Sequence, residues 1–498
     1  MFNPPFILSI APFILFLFLL LWKKKTLLEV SALTLALTAG LTFFYWKIFP
    51  ALFLVSFAKG FFVALDIFLI ILGAIFFLEI LRDLKVIDNI SYYLESFSKD
   101  YRIQVIILAW FFENFLEGTA GFGTASVIVA PLLIGLGLSP LKAIIISLLG
   151  NSASVVFGAA GTPIRVGFAG LDYSSIPQLS AWINCVGFIV PVFMLLTLVA
   201  DKPDKKKQFL EALPFAVWAG IAFVIPSALT VFLGQEFPSI LGSVIGLLLV
   251  LLTTKLGIFS PKNIRSTHEI QEPKQSLSYF KAFFPYSLLI ALLILGKIFL
   301  GQINFLIPLD INHKFNLFNP GFAFLIAGLP IALFLGSARY KVAARAIKTA
   351  IKSSIEPFLV IASISIVVQL MINSGQNLSG LPSSIALIAK NFETSLLPFW
   401  APFIGAFGSF ITGSATISNI MFGNFLNFAS QAINMDAAKI LALALVGGAA
   451  GNMIALADML AAETVVGLKN QERAVLKGVI IPCLIYLILA GIIGLLIM

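Results

Sequence analysis

Apolar runs of roughly 17 to 25 residues recur from one end of this chain to the other, each long enough to cross about 30 Å of hydrocarbon as a helix. A chain of 498 residues that is 60% hydrophobic and 11% charged, with a mean hydropathy of +1.04, carries more apolar surface than a soluble fold needs. The fold class it implies is an all-α polytopic membrane protein. Twelve full spans are read at about 5–22, 27–46, 61–81, 141–165, 177–200, 210–232, 238–254, 282–302, 320–337, 355–373, 438–462 and 476–498. The first has no basic residue before it and Lys23 to Lys25 after it, the reverse of a cleavable signal, so it reads as a permanent helix.

Two further apolar segments, 102–137 and 398–430, are each interrupted near the middle by a stretch rich in Gly, Ser and Thr. Lys and Arg in short loops stay on the cytoplasmic side. The basic loops after spans one and three, and those near 201–207, 255–265, 337–352 and 468–473, share that side if each interrupted segment enters and leaves on one face. Both then read as re-entrant hairpins, with both chain termini external. The same loops account for the net charge of +9, which forms no single stripe and calls for no nucleic acid.

The order of elements repeats. "FLEGTAGFGT" at 115–124 lines up with "FITGSATISN" at 410–419, and "KAIIISLLGNSAS" at 142–154 with "KILALALVGGAAG" at 439–451, at offsets of 295 and 297. Residues 61–200 and 355–498 each read span, polar segment, interrupted hairpin, Gly-broken span and plain span. By the charge rule the copies face opposite ways. The expected organisation is a first inverted repeat in 1–200, a linker with two spans in 201–281 and a second repeat in 282–498, the pattern of secondary transporters with central sites at broken helices.

Chemistry concentrates at the interruptions. In the first hairpin Gly118, Gly121 and Gly123 permit a tight reversal, Thr119 and Thr124 flank it, and the helix start beyond it offers free N–H donors to an anion. The second hairpin supplies Thr412, Gly413, Ser414, Thr416, Ser418 and Asn419 at the equivalent place. The broken spans add Asn151, Ser152 and Ser154 in one copy and Asn452 in the other. Glu113 and Glu117 lie four residues apart, hence on one helix face. A carboxylate at mid-membrane faces a cavity or carries a proton, so Glu117 is the leading proton carrier, with Glu113 and Asp458 as further titrating candidates. Arg165 is a candidate carboxylate fork or an interfacial anchor, with Asp458 as an alternative partner for it.

Cys185 and Cys483 lie inside apolar spans and read as buried thiols, while His268 and His313 sit in polar loops, which leaves too few ligands for a metal site. No nucleophile-base pair or nucleotide-binding motif appears, so neither an enzyme nor a cofactor is expected.

At these residues the chain resembles the bacterial L-lactate permease family. The resemblance is carried by "WFFENFLEGTAGFGTASVIVAPLLIGLGL" at 110–138, "GNSASVVFGAAGTPI" at 150–164 and "GSFITGSATISNIMFGN" at 408–424. It implies proton-coupled uptake of lactate or related 2-hydroxy monocarboxylates such as glycolate across the cytoplasmic membrane. It also implies the elevator-type motion and paired hairpins of the wider ion-transporter superfamily, and a homodimer through the scaffold spans. Two positions depart from the family pattern: Ala415 stands where that pattern is acidic, and Asn452 where it is basic. The expected partners are a small carboxylate, a proton and the lipid bilayer; the alternatives are sodium coupling on the same fold or a passive anion channel.

Overall fold

The computed structural model describes residues 4–23, 25–121, 123–171, 174–266, 276–301, 303–306, 314–335, 339–391 and 394–498. His268, His313 and Lys24 lie outside the described residues. Among the described residues the fold is helical apart from a short antiparallel ribbon pairing Asn304–Leu306 with Lys314–Asn316 and a single bridge between Ile48 and Asn377. Nine helices among the described residues are long and apolar enough to cross a membrane, and the pair Pro140–Gly150 and Ala153–Arg165, bent by 43°, makes a tenth candidate. The runs at 5–22 and 320–337 fall on shorter apolar helices, Pro4–Leu20 and Pro320–Ala332.

Two helices far exceed their sequence expectation. The span placed at 61–81 belongs to Pro50–Asp83, and that at 355–373 to Arg339–Asn373. Nothing in 339–356 breaks a helix, since its Ala, Lys and Arg residues are strong helix formers, so the basic stretch expected as a loop continues the span. Asp66 lies mid-helix, and Glu79 closes the last turns by pairing with Arg82 at 3.2 Å. These long helices pack against each other, with Gly60 seated against the Ile366 backbone and Phe61 and Phe68 edge-on to Phe358. Leu27–Gly40 packs on Arg339–Asn373, and Pro320–Leu335 on Pro50–Asp83, where Gly73 and Gly321 let the backbones touch. The four helices form a scaffold.

The two interrupted segments are each a helix, a break and a second helix; the second packs on the scaffold helix Arg339–Asn373, the first on Pro238–Lys255 and Pro140–Gly150. The first runs Tyr101–Ile106, a π-helical Ile107–Phe112 and Glu113–Thr119, then Thr124–Gly135 after the break. The second runs Leu397–Thr412, then Ala415–Ala432, with left-handed Gly413 between. Two short amphipathic helices, Val86–Glu95 and Ser384–Lys390, precede them.

The base of the first hairpin is fixed by a buried ion cluster. Arg102, fully buried, donates to both carboxylate oxygens of Asp100 at 3.0 and 2.7 Å, to Glu211 at 3.2 Å, and to the carbonyls of Gln208 and Asn263. Arg265 closes the far side on Asp204, whose carboxyl is held below its ordinary range first by the Gln208 amide and then by Arg265. Removing one partner of a buried charge cluster strands the others, at a cost of about 3–5 kcal/mol. Arg102→Met is therefore expected to lower the unfolding temperature of detergent-solubilised protein by far more than Lys99→Met, a neighbouring lysine with no ion pair among the described residues, as read by intrinsic fluorescence.

Candidate functional site

The two hairpin tips and the two broken helices converge on one cleft of about 300 Å³. Its lining takes Glu117, Gly121 and Gly123 from the first tip, Gly413, Ser414, Ala415 and Thr416 from the second, Val155, Gly158, Ala159 and Pro163 from one broken helix, and Asn452 from the other. Residues some 300 positions apart in the chain thus meet at one place. Asn419 ties the parts together by donating its amide to the Pro163 carbonyl at 2.9 Å.

Each break has a local cause. Gly123 takes φ +70° and admits no side chain, because a Cβ there would run into the Asp458 carboxylate. The second tip turns at Gly413, after which Ser414 caps the new helix by accepting from the Ile417 N–H. The first turn of that helix leaves the Ala415 and Thr416 N–H groups without intrahelical acceptors, at its positive end and on the cleft wall. In the first broken span a 3₁₀ turn, Ala153–Phe157, leads into left-handed backbone at Ala159, Ala160 and Gly161 before Pro163. Two consecutive alanines at positive φ cost about 1–2 kcal/mol each, held by surrounding contacts. In the second span the break is a 3₁₀ turn, Asn452–Ile454, followed by Leu456–Val466.

One buried carboxylate lines the cleft and two more lie within electrostatic range of it. Glu113, one layer behind it, accepts from the hydroxyls of Ser126 and Ser147 at 2.9 and 2.7 Å through one oxygen and leaves the other unpartnered. Glu117 borders the cleft, and Gly158 leaves the space its Oε1 occupies, a Cβ there falling 2.6 Å away. The Asn151 amide faces Glu117 without completing a well-formed hydrogen bond, and Oε2 of Glu117 is unpartnered. Asp458, in the first turn of Leu456–Val466, lies beside Asn452 and within electrostatic range of Glu117, with Oδ2 unpartnered. No Lys, Arg or His is among the described lining residues.

Other polar residues singled out in the sequence are turned to backbone. Thr119 donates to Phe115 and Leu116, Thr124 to Gly121, Ser152 to Leu149, Thr412 to Gly408 and Ser418 to Gly405. Gly118 packs against Ser239 and Ile240, and Ser154 lies behind the cleft with an unpartnered hydroxyl. Arg165 is not brought to the cleft, nor to Asp458. It lies beyond Pro163, 3.9 Å from Glu236, and donates to the Phe318 carbonyl. Sequence reasoning passed over Ser126 and Ser147, whose partner is 13 and 34 positions away, and the Gly158–Ala159 wall, signalled only by "GAAGTP".

A membrane-length helical bundle whose interrupted helices surround a buried polar cleft has the build of a multi-pass membrane transporter, and its relatives are permeases. The L-lactate permease family model matches residues 5–307 and 300–498, so the chain belongs to the L-lactate permease family. It is 31% identical to the L-lactate permease of Salmonella typhimurium, covering 96% of this chain and 93% of that one, and 29% identical to that of Escherichia coli, covering 98% and 94%. The glycolate permease of Escherichia coli is 26% identical over 94% of this chain and 90% of its own.

Gly123→Ala places a left-handed alanine against Asp458, costing about 1–2 kcal/mol for the backbone before any clash. Gly135→Ala, at a position with open space around it, is expected to leave the unfolding temperature unchanged while Gly123→Ala lowers it.

Proposed function

We propose that the protein is a secondary active transporter that carries L-lactate, or a related small 2-hydroxy monocarboxylate, together with a proton across the cytoplasmic membrane. The observation that carries this reading is a cleft bordered by helix-start N–H groups and by the buried Glu117, with the buried Asp458 packed against the lining Gly123 and no cation among the described lining residues. The N–H groups of Ala415 and Thr416 suit a carboxylate. Ser414, Thr416 and Asn452 suit the adjacent hydroxyl that lactate and glycolate share.

Charge then dictates coupling. With Glu117, Asp458 and a bound anion all ionised, three negative charges would crowd one buried cleft, and like charges in a low-dielectric site repel strongly. An anion enters only when a proton comes with it. Glu117, on the cleft wall with a free oxygen, is the carrier, Asp458 shares the load, and Glu113 behind it is a second store. The departures from the family pattern fall at this place: Ala415 lines the cleft without an acid, Asn452 without a base, and Asp458 supplies an acid beside Asn452.

The repeated element order supports an inverted-topology repeat with re-entrant hairpins, in which the tips and broken helices move as a body against the scaffold. Lys142 pairs with Asp201, Arg102 with Glu211 and Arg345 with Asp83, and the first two gather basic loops at one end of the bundle. That supports a cytoplasmic placing of these loops and external termini.

Purified protein in liposomes is expected to accumulate labelled L-lactate when an inward proton gradient is imposed, and to lose accumulation with a protonophore. Glu117→Gln is expected to reduce uptake to passive equilibration while the protein stays folded. Accumulation that follows a sodium gradient at fixed pH would overturn proton coupling.

A further inference from the structure

Arg165 lies where no role in the cleft reaches it, yet it borders an open mouth of about 670 Å³. This mouth is one turn away from the cleft: Pro163 lines the cleft, and Ile164 and Arg165 line the mouth. Four charged groups meet at its back. Glu236, fully buried, accepts from Lys297 through both oxygens at 3.0 and 3.2 Å, so its charge is already directly paired. Arg165 stands 3.9 Å from that carboxylate, beyond hydrogen-bond reach, and Asp66 acts on it electrostatically. One Nη2 hydrogen is engaged by the Phe318 carbonyl, and the guanidinium lies over the Phe318 ring at 6.0 Å. A guanidinium has five donors in a fixed fork, so donors remain for a ligand in the mouth.

The rest of the lining fits the same ligand. The Gln235 side chain offers an amide, and Ile164, Phe168, Leu171 and Ile176 form an apolar wall. A planar cation, an amide and a greasy wall together match a carboxylate with a neighbouring hydroxyl and a short alkyl group.

We propose that this mouth is a second, staging site for the 2-hydroxy monocarboxylate, with Arg165 capturing the carboxylate before it passes the Pro163–Arg165 turn into the cleft. The inference rests on the transport reading above and adds a site to it. The division of labour is electrostatic. Among the described lining residues the mouth has a cation and no carboxylate, so it takes the anion as it comes; the cleft has Glu117 and no cation, so it takes the anion only with a proton. Capture by a charge near the surface raises encounter rates and weakens with salt.

The test is initial-rate uptake of L-lactate by proteoliposomes under a fixed proton gradient, for wild type, Arg165→Gln, Gln235→Glu and Gln235→Lys, at low and high ionic strength. Arg165→Gln is expected to raise KM by about tenfold or more, as loss of a charged hydrogen-bond partner does, with Vmax little changed and the salt dependence of KM reduced. The Gln235 variants leave Arg165 in place and report even if Arg165→Gln fails to fold: KM should rise with Gln235→Glu and fall with Gln235→Lys. Saturable wild-type uptake with KM unmoved by the Gln235 charges, or a fall in Vmax at constant KM in Arg165→Gln, overturns the staging site alone. Absence of saturable wild-type uptake overturns the transport reading and the staging site with it.

Discussion

Backbone that leaves the helix inside a membrane protein must find its hydrogen-bond partners within the protein, and this constraint organises the whole molecule. Four breaks, at Gly121–Gly123, Ala153–Gly161, Gly413–Ser414 and Asn452–Ala455, would each be costly alone. Brought together, they share contacts: Gly121 abuts Ala159, Gly123 abuts Asp458, Gly413 abuts Ala457 and Asn419 caps the Pro163 carbonyl. The ion cluster at Arg102 fixes the base of the first hairpin, and the scaffold helix Arg339–Asn373 packs on the second. The polar cleft is a consequence of that convergence.

The second organising feature is where charge is placed. Buried acids gather around the cleft, while Arg165 and Lys297 stand apart with Glu236. Buried charges without partners are costly, and their persistence at an intramembrane site points to function more than to stability. Glu113 is the contrasting case. Two serine hydroxyls hold one of its oxygens and join the second arm of the first hairpin to Pro140–Gly150, so it braces the site while keeping a free oxygen.

Much of this was legible in the sequence because its signals are local. Apolar length gives spans, and glycine and hydroxyl runs give breaks. The tips and breaks singled out in advance, Glu117, Gly121, Gly123, Gly413, Ser414, Thr416 and Asn452, all line the cleft. What escaped depends on three-dimensional direction. Whether a threonine such as Thr119 faces a cavity or its own helix backbone is set by rotamer and rotation, not by composition. Arg165 was read as a carboxylate fork or an interfacial anchor, and the left-handed turn at Ala159–Gly161 and Pro163 sends it to Glu236. The overlong scaffold helices escaped because the end of hydropathy was taken for the end of the helix.

The central claim is that the charge of the cleft obliges each anion to travel with a proton. The most direct measurement is luminal pH in proteoliposomes when an inward L-lactate gradient is imposed with no proton gradient, against protein-free liposomes as the baseline. The account predicts protein-dependent luminal acidification in step with lactate entry, unaffected by replacing sodium with potassium. Lactate entry through the protein without acidification beyond the baseline would contradict it.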